Sequence, residues 1–538
     1  MEFDRLEDSP AGFPSLPPDT ISRLAKRAFE RLSFTFTRPH LDHLLGIARD
    51  DGASDNDRLV ASYLLENAVI SSRGTLPLCQ DTGTAQVFAW KDEGILTGGD
   101  DTSAIAGGAL DAWRASALRN STTLPEGFFG ERDPGDNGPA QTALFATVPA
   151  PGAGRAYRFL FCAKGGGSSN KTTLTQATKA LLEPSAFSAF LREKIAALGT
   201  AACPPYVISV VAGGISPEQN LLALKLATAG YFDAPAPGFD YRVMGTVPER
   251  DSVLEREVLS IAAETGLGAQ FGGRALATAA RVLRLPRHGA SLPVSVGVSC
   301  VAHRNLLGRI DSDGVWLERT VADPASVPGL AEAAARCSAP RPGAVRIDTT
   351  EGVESIRARL AGLAPGTPVL VSGPLLVARD AAHARWRGII RAGHDLPDYV
   401  ARYPIMYAGP AGTPEGRVIG SFGPTTAGRM DEYAEELMSR GAALVTLAKG
   451  NRSETWRSAC ASFGAVYLGT PGGIAALIAE RHVTESRVLD YPELGMEAVR
   501  LVTVRDMPAF VVINGRGEDF FARRKGEDNG SHQHRRGS

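Results

Sequence analysis

The chain has 538 residues, 43% of them apolar and 22% charged, and a net charge of −2 at pH 7. That length exceeds what one hydrophobic core spans, so at least two domains are expected, and the near-neutral charge gives no general attraction to nucleic acid or anionic lipid. No stretch approaches the roughly 20 apolar residues that cross a bilayer, and the acidic Met1–Asp8 run lacks the parts of a secretion signal, so a cytoplasmic protein is expected.

Residues 20–70 read mainly as helix, with an apolar period in Ile21–Phe29 and again in Leu59–Val69. The loop Pro77-Leu78-Cys79-Gln80-Asp81-Thr82-Gly83-Thr84 follows and places a thiol, an amide and a carboxylate on consecutive residues. A metal on Cys79 would have Asp81 within proton-transfer reach, and Gln80 could orient it. Tyr157–Cys162 predicts a strand that enters Ala163–Thr172, a loop with three successive glycines. That loop approaches a phosphate-binding motif, but Asn170 stands where the sixth-position glycine is required. A nucleotide-binding reading is therefore disfavoured, and the loop's amides suit an anion or a cofactor.

Tyr206–Val211 predicts a strand leading to a helix with Ser216 as N-cap, Pro217 at its first position and Gln219 as capping partner. The apolar run Leu292–Ser299 ends at Cys300. Six scattered cysteines are too few for a disulfide framework. Cys79, Cys162 and Cys300, each in an unusual loop, suggest one shared metal centre, and the absence of local Cys pairs leans weakly from zinc towards an iron-sulfur cluster. Cys203, Cys337 and Cys460 read as small buried residues. Beyond the proline-rich stretch around 323–343, which places a domain boundary near 340, Pro368–Gly373 and Ala443–Leu447 predict buried strands with a helical pattern at Arg429–Ser439 between them. The tail from Arg523 is charged and apolar-poor, and 526–538 reads as disordered.

Taken in order, Pro77–Thr84, Ala163–Thr172, Gly266–Gly273, Leu285–Ser291, Gly297–Cys300, Gly373–Asp380, Gly420–Met430 and Ala448–Ser453 resemble the class I, iron-sulfur fumarate hydratases in their long single-chain form. The resemblance implies a mixed α/β (α+β) fold. A larger, helix-rich, cluster-binding domain would span 1–340, and a smaller α/β domain of the swivelling type, which binds substrate, would span 341–525. It implies a 4Fe-4S cluster held by Cys79, Cys162 and Cys300, with the fourth iron open to substrate. It implies reversible hydration of fumarate to L-malate and a homodimer; relatives with the same cluster act on mesaconate or tartrate, which stand as alternatives. The loop Asp133–Asn137 departs from the family pattern, as does the small, apolar Arg274–Ala280.

A dicarboxylate bound by so neutral a chain calls for local cations, and the matched motifs offer Arg379, Arg429 and Lys449. The resemblance adds Gln80, Arg119, His288 and Thr426 as substrate contacts. Thr425 is then the candidate base, its hydroxyl made more acidic by Arg429 and Lys449, and Asp81 the candidate acid for the departing hydroxide. His288 is expected beside a helix ending near Leu285, and the site between the two domains.

Overall fold

A computed structural model describes residues 1–522 apart from 139, 150–151, 237 and 340–342. The expected boundary near 340 and the expected tail over 526–538 lie outside the described residues. The fold is α/β, with helices on mixed sheets in two domains.

The first part of the chain builds two sheets. One has six strands in the order Phe3–Glu7, Gly314–Glu318, Asn305–Asp311, Ala156–Lys164, Thr84–Asp92 and Gln141–Thr147, antiparallel except for its last pair. The other has five, in the order Glu249–Arg250, Ala277–Arg287, Tyr206–Gly214, Leu292–Ser299 and Thr173–Ala177. Apolar faces dictate the layering. Helices Pro18–Phe34 and Asp101–Ala115 cover one face of the six-stranded sheet, and Pro184–Leu198 and Ser252–Glu264 cover the outer face of the five-stranded one. Helix Pro217–Thr228 lies between the sheets, its Ala223, Leu224 and Ala227 packed with Leu160 and Val211.

The local readings at that helix hold: Ser216 caps Gln219 N–H at 3.3 Å, with Pro217 at the first position. Gln219 reaches back to Ile215 N–H at 2.8 Å, one residue earlier than the capping box requires. The helix expected to end near Leu285 is instead the strand Ala277–Arg287, which pairs in parallel with Tyr206–Gly214. Its Ala- and Leu-rich composition favours helix locally, but a central position beside a buried strand overrides propensity.

The C-terminal part forms a seven-stranded sheet. Within it Pro368–Val377, Ile405–Met406, Val445–Ala448 and Val466–Gly469 run parallel. Val499–Ile513 then pairs antiparallel with both Val466–Gly469 and Pro368–Val377, so the ring closes and the short central strands have no free edge. Arg379 and Lys449 lie just beyond the carboxyl ends of two parallel strands, the side of such sheets where ligands bind.

One core joins the two parts. Helices Arg38–Arg49 and Asp55–Ser71 contribute Leu41, Leu44, Val60 and Leu64 to the same apolar cluster as Leu375, Leu447 and Phe510 of the C-terminal sheet. Two buried polar residues of Asp55–Ser71 act as clips. Asp57 accepts from Ala269 N–H at 2.6 Å and Arg274 N–H at 2.8 Å, folding the glycine-rich Gly266–Gly273 loop around it. Asn67 donates to Leu78 O and accepts from Leu477 N–H, both at 3.0 Å, so it ties the residue before Cys79 to the C-terminal helix Ala475–Arg481. Asn67→Leu leaves both backbone groups buried and unpaired. The expected loss is about 2–5 kcal/mol, read as a fall of several degrees in the thermal midpoint.

Candidate active site

A cavity of about 500 Å³ opens where the two parts meet. From the first part it is lined by Gln80, Asp81, Arg119, Lys164 and Lys171; from the second by Arg379, Thr425, Thr426, Arg429 and Lys449. Every catalytic and substrate residue expected from the sequence faces it except His288.

Asp81 is held from three sides. Arg119 Nη2 sits 3.0 Å from Oδ1, Gly83 N–H donates to Oδ1 at 3.2 Å, and Gly166 N–H donates to Oδ2 at 3.0 Å. The three-glycine loop thus spends an amide on a carboxylate of its own chain, not on a phosphate. A Cβ at Gly165 would stand 2.7 Å from Asp81 Oδ2, which is why a glycine is needed there. Thr82 fixes the arginine: its hydroxyl donates to Arg119 O at 3.0 Å and accepts from Arg119 N–H at 2.9 Å. Burial alone would raise the Asp81 carboxyl, but Arg119, Arg304 and the Gly166 amide outweigh it and hold it far below the ordinary 3.8. The acid role expected of Asp81 meets a carboxylate that is ionised throughout the neutral range.

On the opposite wall, Thr425 follows the strand Phe422–Pro424 and is fixed by N–H to Tyr407 O at 2.7 Å. Its Oγ1 accepts from Arg429 Nη2. Lys449 N–H donates to Thr425 O at 3.1 Å, so base candidate and lysine share one short bridge. Below them, Arg452 stacks 3.2 Å over the Trp456 ring and donates to Asp431 Oδ1 at 2.6 Å, while Asp431 Oδ2 takes Ser453 N–H at 2.6 Å. This buried pair ties the segment Ala427–Tyr433, which carries Arg429, to the loop that carries Lys449. Arg379 is buried against Glu497, with Nη2 to Oε1 at 2.7 Å. Gln80 Nε2 crosses between the parts to Pro424 O at 2.9 Å, and Thr426 Oγ1 reaches Ala201 O at 3.4 Å.

The thiols assemble differently from the expectation. Cys162 lies on the face of Ala156–Lys164 that packs against helix Pro217–Thr228; its Sγ is 3.8 Å from Gln86 Oε1, and its charged neighbours are Lys225 and Lys164, with no other thiol among them. The thiol placed with Cys79 and Cys300 is Cys203, on which both act electrostatically. Val301 N–H donates to Cys203 O at 3.1 Å, and Lys449 Nζ donates to Cys203 Sγ at 2.7 Å. A side chain at Gly472 would begin 2.5 Å from that sulfur. Topology explains the meeting: Tyr206–Gly214 and Leu292–Ser299 are antiparallel, with Val207 opposite Ser299, so the Cys203-Pro204-Pro205 segment that enters one strand and Cys300 that leaves the other share an end. Burial raises the Cys79 thiol and pushes Cys203 up to about 11.

The same topology removes His288. Ala277–Arg287 runs away from the Cys203 end and Leu292–Ser299 returns to it, so the exposed turn with His288 lies a strand length off, about 26 Å at roughly 3.3 Å per residue. Its Nδ1 accepts Ala290 N–H at 3.2 Å. Three cationic neighbours had no reading from sequence. Lys164 donates to Thr228 O at 2.7 Å and is lowered by burial to about 8; Arg304, buried, acts on Cys79 and Asp81; Lys171 lines the cavity.

Two enclosed faces presenting several cations, one held carboxylate and clustered thiols define an anion-binding enzyme site at a domain junction. Residues 22–309 match the family described as Fumarate hydratase (Fumerase), and residues 314–524 match Fumarase C-terminus. The chain is 45% identical over 509 residues to fumarate hydratase 2 of Leishmania major, covering 94% of this chain and 87% of that protein. It is 44% identical over 506 residues to the aerobic class I fumarate hydratase of Escherichia coli K12, covering 94% and 90%. A shorter match, 28% identical over 164 residues, is to subunit beta of the L(+)-tartrate dehydratase of Escherichia coli K12, covering 30% of this chain and 80% of that subunit. The chain belongs to the fumarate hydratase (fumarase) family.

Arg119→Leu strips Asp81 of its nearest countercharge. In the parent, the depressed carboxyl contributes stability that is present above 3.8 and lost only as pH falls through the folded value. In the variant that value rises by about 1–3 pH units, so acid unfolding followed by circular dichroism should begin at higher pH.

Proposed function

We propose that this protein interconverts fumarate and L-malate, with a 4Fe-4S cluster on Cys79, Cys203 and Cys300. The observation that carries the reading is the single cavity in which Asp81 with Arg119 faces Thr425, Arg379, Arg429 and Lys449 beside those three thiols. Among the described residues no three His, Cys, Asp or Glu side chains converge tightly enough to hold one metal ion. A four-iron cube asks for less convergence, because each thiolate takes a different corner. Buried thiols beside Lys449 and Arg304 also suit it, since the cations balance the negative charge of thiolate ligands. When bound, the cluster supplies a Lewis-acidic iron that polarises the substrate's oxygens.

The chain's own residues account for the rest. Arg379, Arg429 and Lys449 offer the carboxylates of a diacid bidentate and point-charge partners inside a low-dielectric cleft. Thr425 Oγ1 exchanges a proton with the carbon beside a carboxylate; the Arg429 hydrogen bond stabilises the alkoxide this requires. Asp81, kept ionised, takes a proton from water in the hydration direction and returns it to the departing hydroxide in the reverse. The proton that Asp81 gains and the one Thr425 gives balance through solvent. The relatives matched over 94% of this chain are named fumarate hydratases, whereas the tartrate dehydratase beta subunits match about 30% of it, so fumarate is the substrate we assign over tartrate or mesaconate. The working unit is a cytoplasmic homodimer in this reading.

Anaerobic purification with iron and sulfide analysis separates the ligand sets. Cys203→Ser should lose most of the iron and Cys162→Ser should retain it; the reverse would restore Cys162 as ligand. Thr425→Ala should keep the parent's iron content and visible spectrum while kcat for fumarate falls about 100-fold or more. Parallel assays should give fumarate the highest kcat/KM, and a higher value for mesaconate or tartrate would overturn the assignment.

A further inference from the structure

A second cavity, of about 630 Å³, shares no lining residue with the first. It lies between helix Arg38–Arg49, the segment after Pro217–Thr228 and the strands Asn305–Asp311 and Gly314–Glu318. Pro39, Leu160, Ala229, Leu307 and Val321 give it apolar walls, and Asp233, Glu318, His43 and His303 are among its titratable lining, along with Met1 and Glu2.

The sign of the ligand follows from which charges are already matched. Arg38 donates to Asp42 at 2.8 Å, Arg281 to Asp233 Oδ1 at 2.7 Å, and Arg319 to Glu2 and Asp4 at 2.6 Å each. Glu318 is different: among the described residues it accepts Leu307 N–H at 3.0 Å and forms no ion pair. Asp233 Oδ2 lies 3.9 Å from His303 Nε2, and burial keeps that imidazole neutral. Burial raises Asp233 despite Arg281 beside it, and lifts Glu318 to about 7 despite the Leu307 amide and the more distant Met1 ammonium, so the cations present do not offset the burial of either carboxyl. Apolar walls, and the absence among the described residues of a converging ligand set, argue against a bare metal ion.

We propose that this cavity binds a small organic cation, a protonated primary amine with a short apolar body, using Glu318 and Asp233 Oδ2 as acceptors. Its wall is the back of the Cys300 loop: His303 Nδ1 meets Ser299 Oγ at 2.7 Å, and His40, stacked on His303 at 5.3 Å, bonds Val301 O at 2.8 Å. The amine is therefore held behind the thiols, apart from the substrate's cations.

Isothermal titration of the full chain with butylammonium chloride tests this, with sodium butyrate as the size-matched anion and each run repeated in saturating fumarate. Butylammonium should bind saturably at one site, butyrate should not, and fumarate should leave the isotherm unchanged. Glu318→Gln should weaken binding about 10-fold or more. Should that variant fail to fold, Ala234→Lys, which brings a tethered ammonium to the cavity wall, should abolish binding. No saturable heat, equal binding of butyrate, competition by fumarate, or an unchanged isotherm in either folded variant would overturn the proposal.

Discussion

The apolar core that helices Arg38–Arg49 and Asp55–Ser71 share with the C-terminal sheet holds every other feature in register. Burial across this junction is what allows charged groups from both sides to face one cavity without flooding it. Asn67 and Asp57 translate that packing into position: one sets the backbone at Leu78, next to Cys79, and the other shapes the loop carrying Gln270. Gln270 in turn bonds Pro204 O, Gly472 O and Gly472 N–H at 2.7–3.1 Å, joining the Cys203 loop to the far side.

Within that frame, electrostatics rather than shape distinguishes the site. Burial alone would raise the Asp81 carboxyl; Arg119, Arg304 and the Gly166 amide reverse the balance. Burial alone would lower Lys449, and its pairing with Cys203 and Cys79 more than offsets that. Lys449 depends on cysteines from the other half of the chain, whereas Asp81 depends chiefly on charges and amides of its own half. A lysine whose charge is supported from across the junction is a physical reason for placing diacid chemistry there.

Local signals in the sequence were sound where local interactions govern. The Ser216–Pro217 helix start, the strands around Tyr157, Tyr206 and Pro368, and the Cys79–Asp81 loop all stand as read. The strand Ala277–Arg287 did not, because its neighbours and not its composition fix it. Cys203 sat among small residues, Thr200-Ala201-Ala202, with nothing local to mark it. The available clue was its place two prolines ahead of one apolar strand while Cys300 directly follows another, and that clue acts only once the two strands are known to be antiparallel.

By itself the sequence determined the mixed α/β class, the residues that line the cavity from Gln80 to Lys449, and the family pattern they belong to, because motifs bind through residues close along the chain. Only tertiary structure decided which thiols meet, that His288 is carried a strand length from the cavity, and that Asp81 is ionised. Those outcomes depend on strand pairing and on charges hundreds of residues apart, and a through-space field or a sheet register has no counterpart in local spacing.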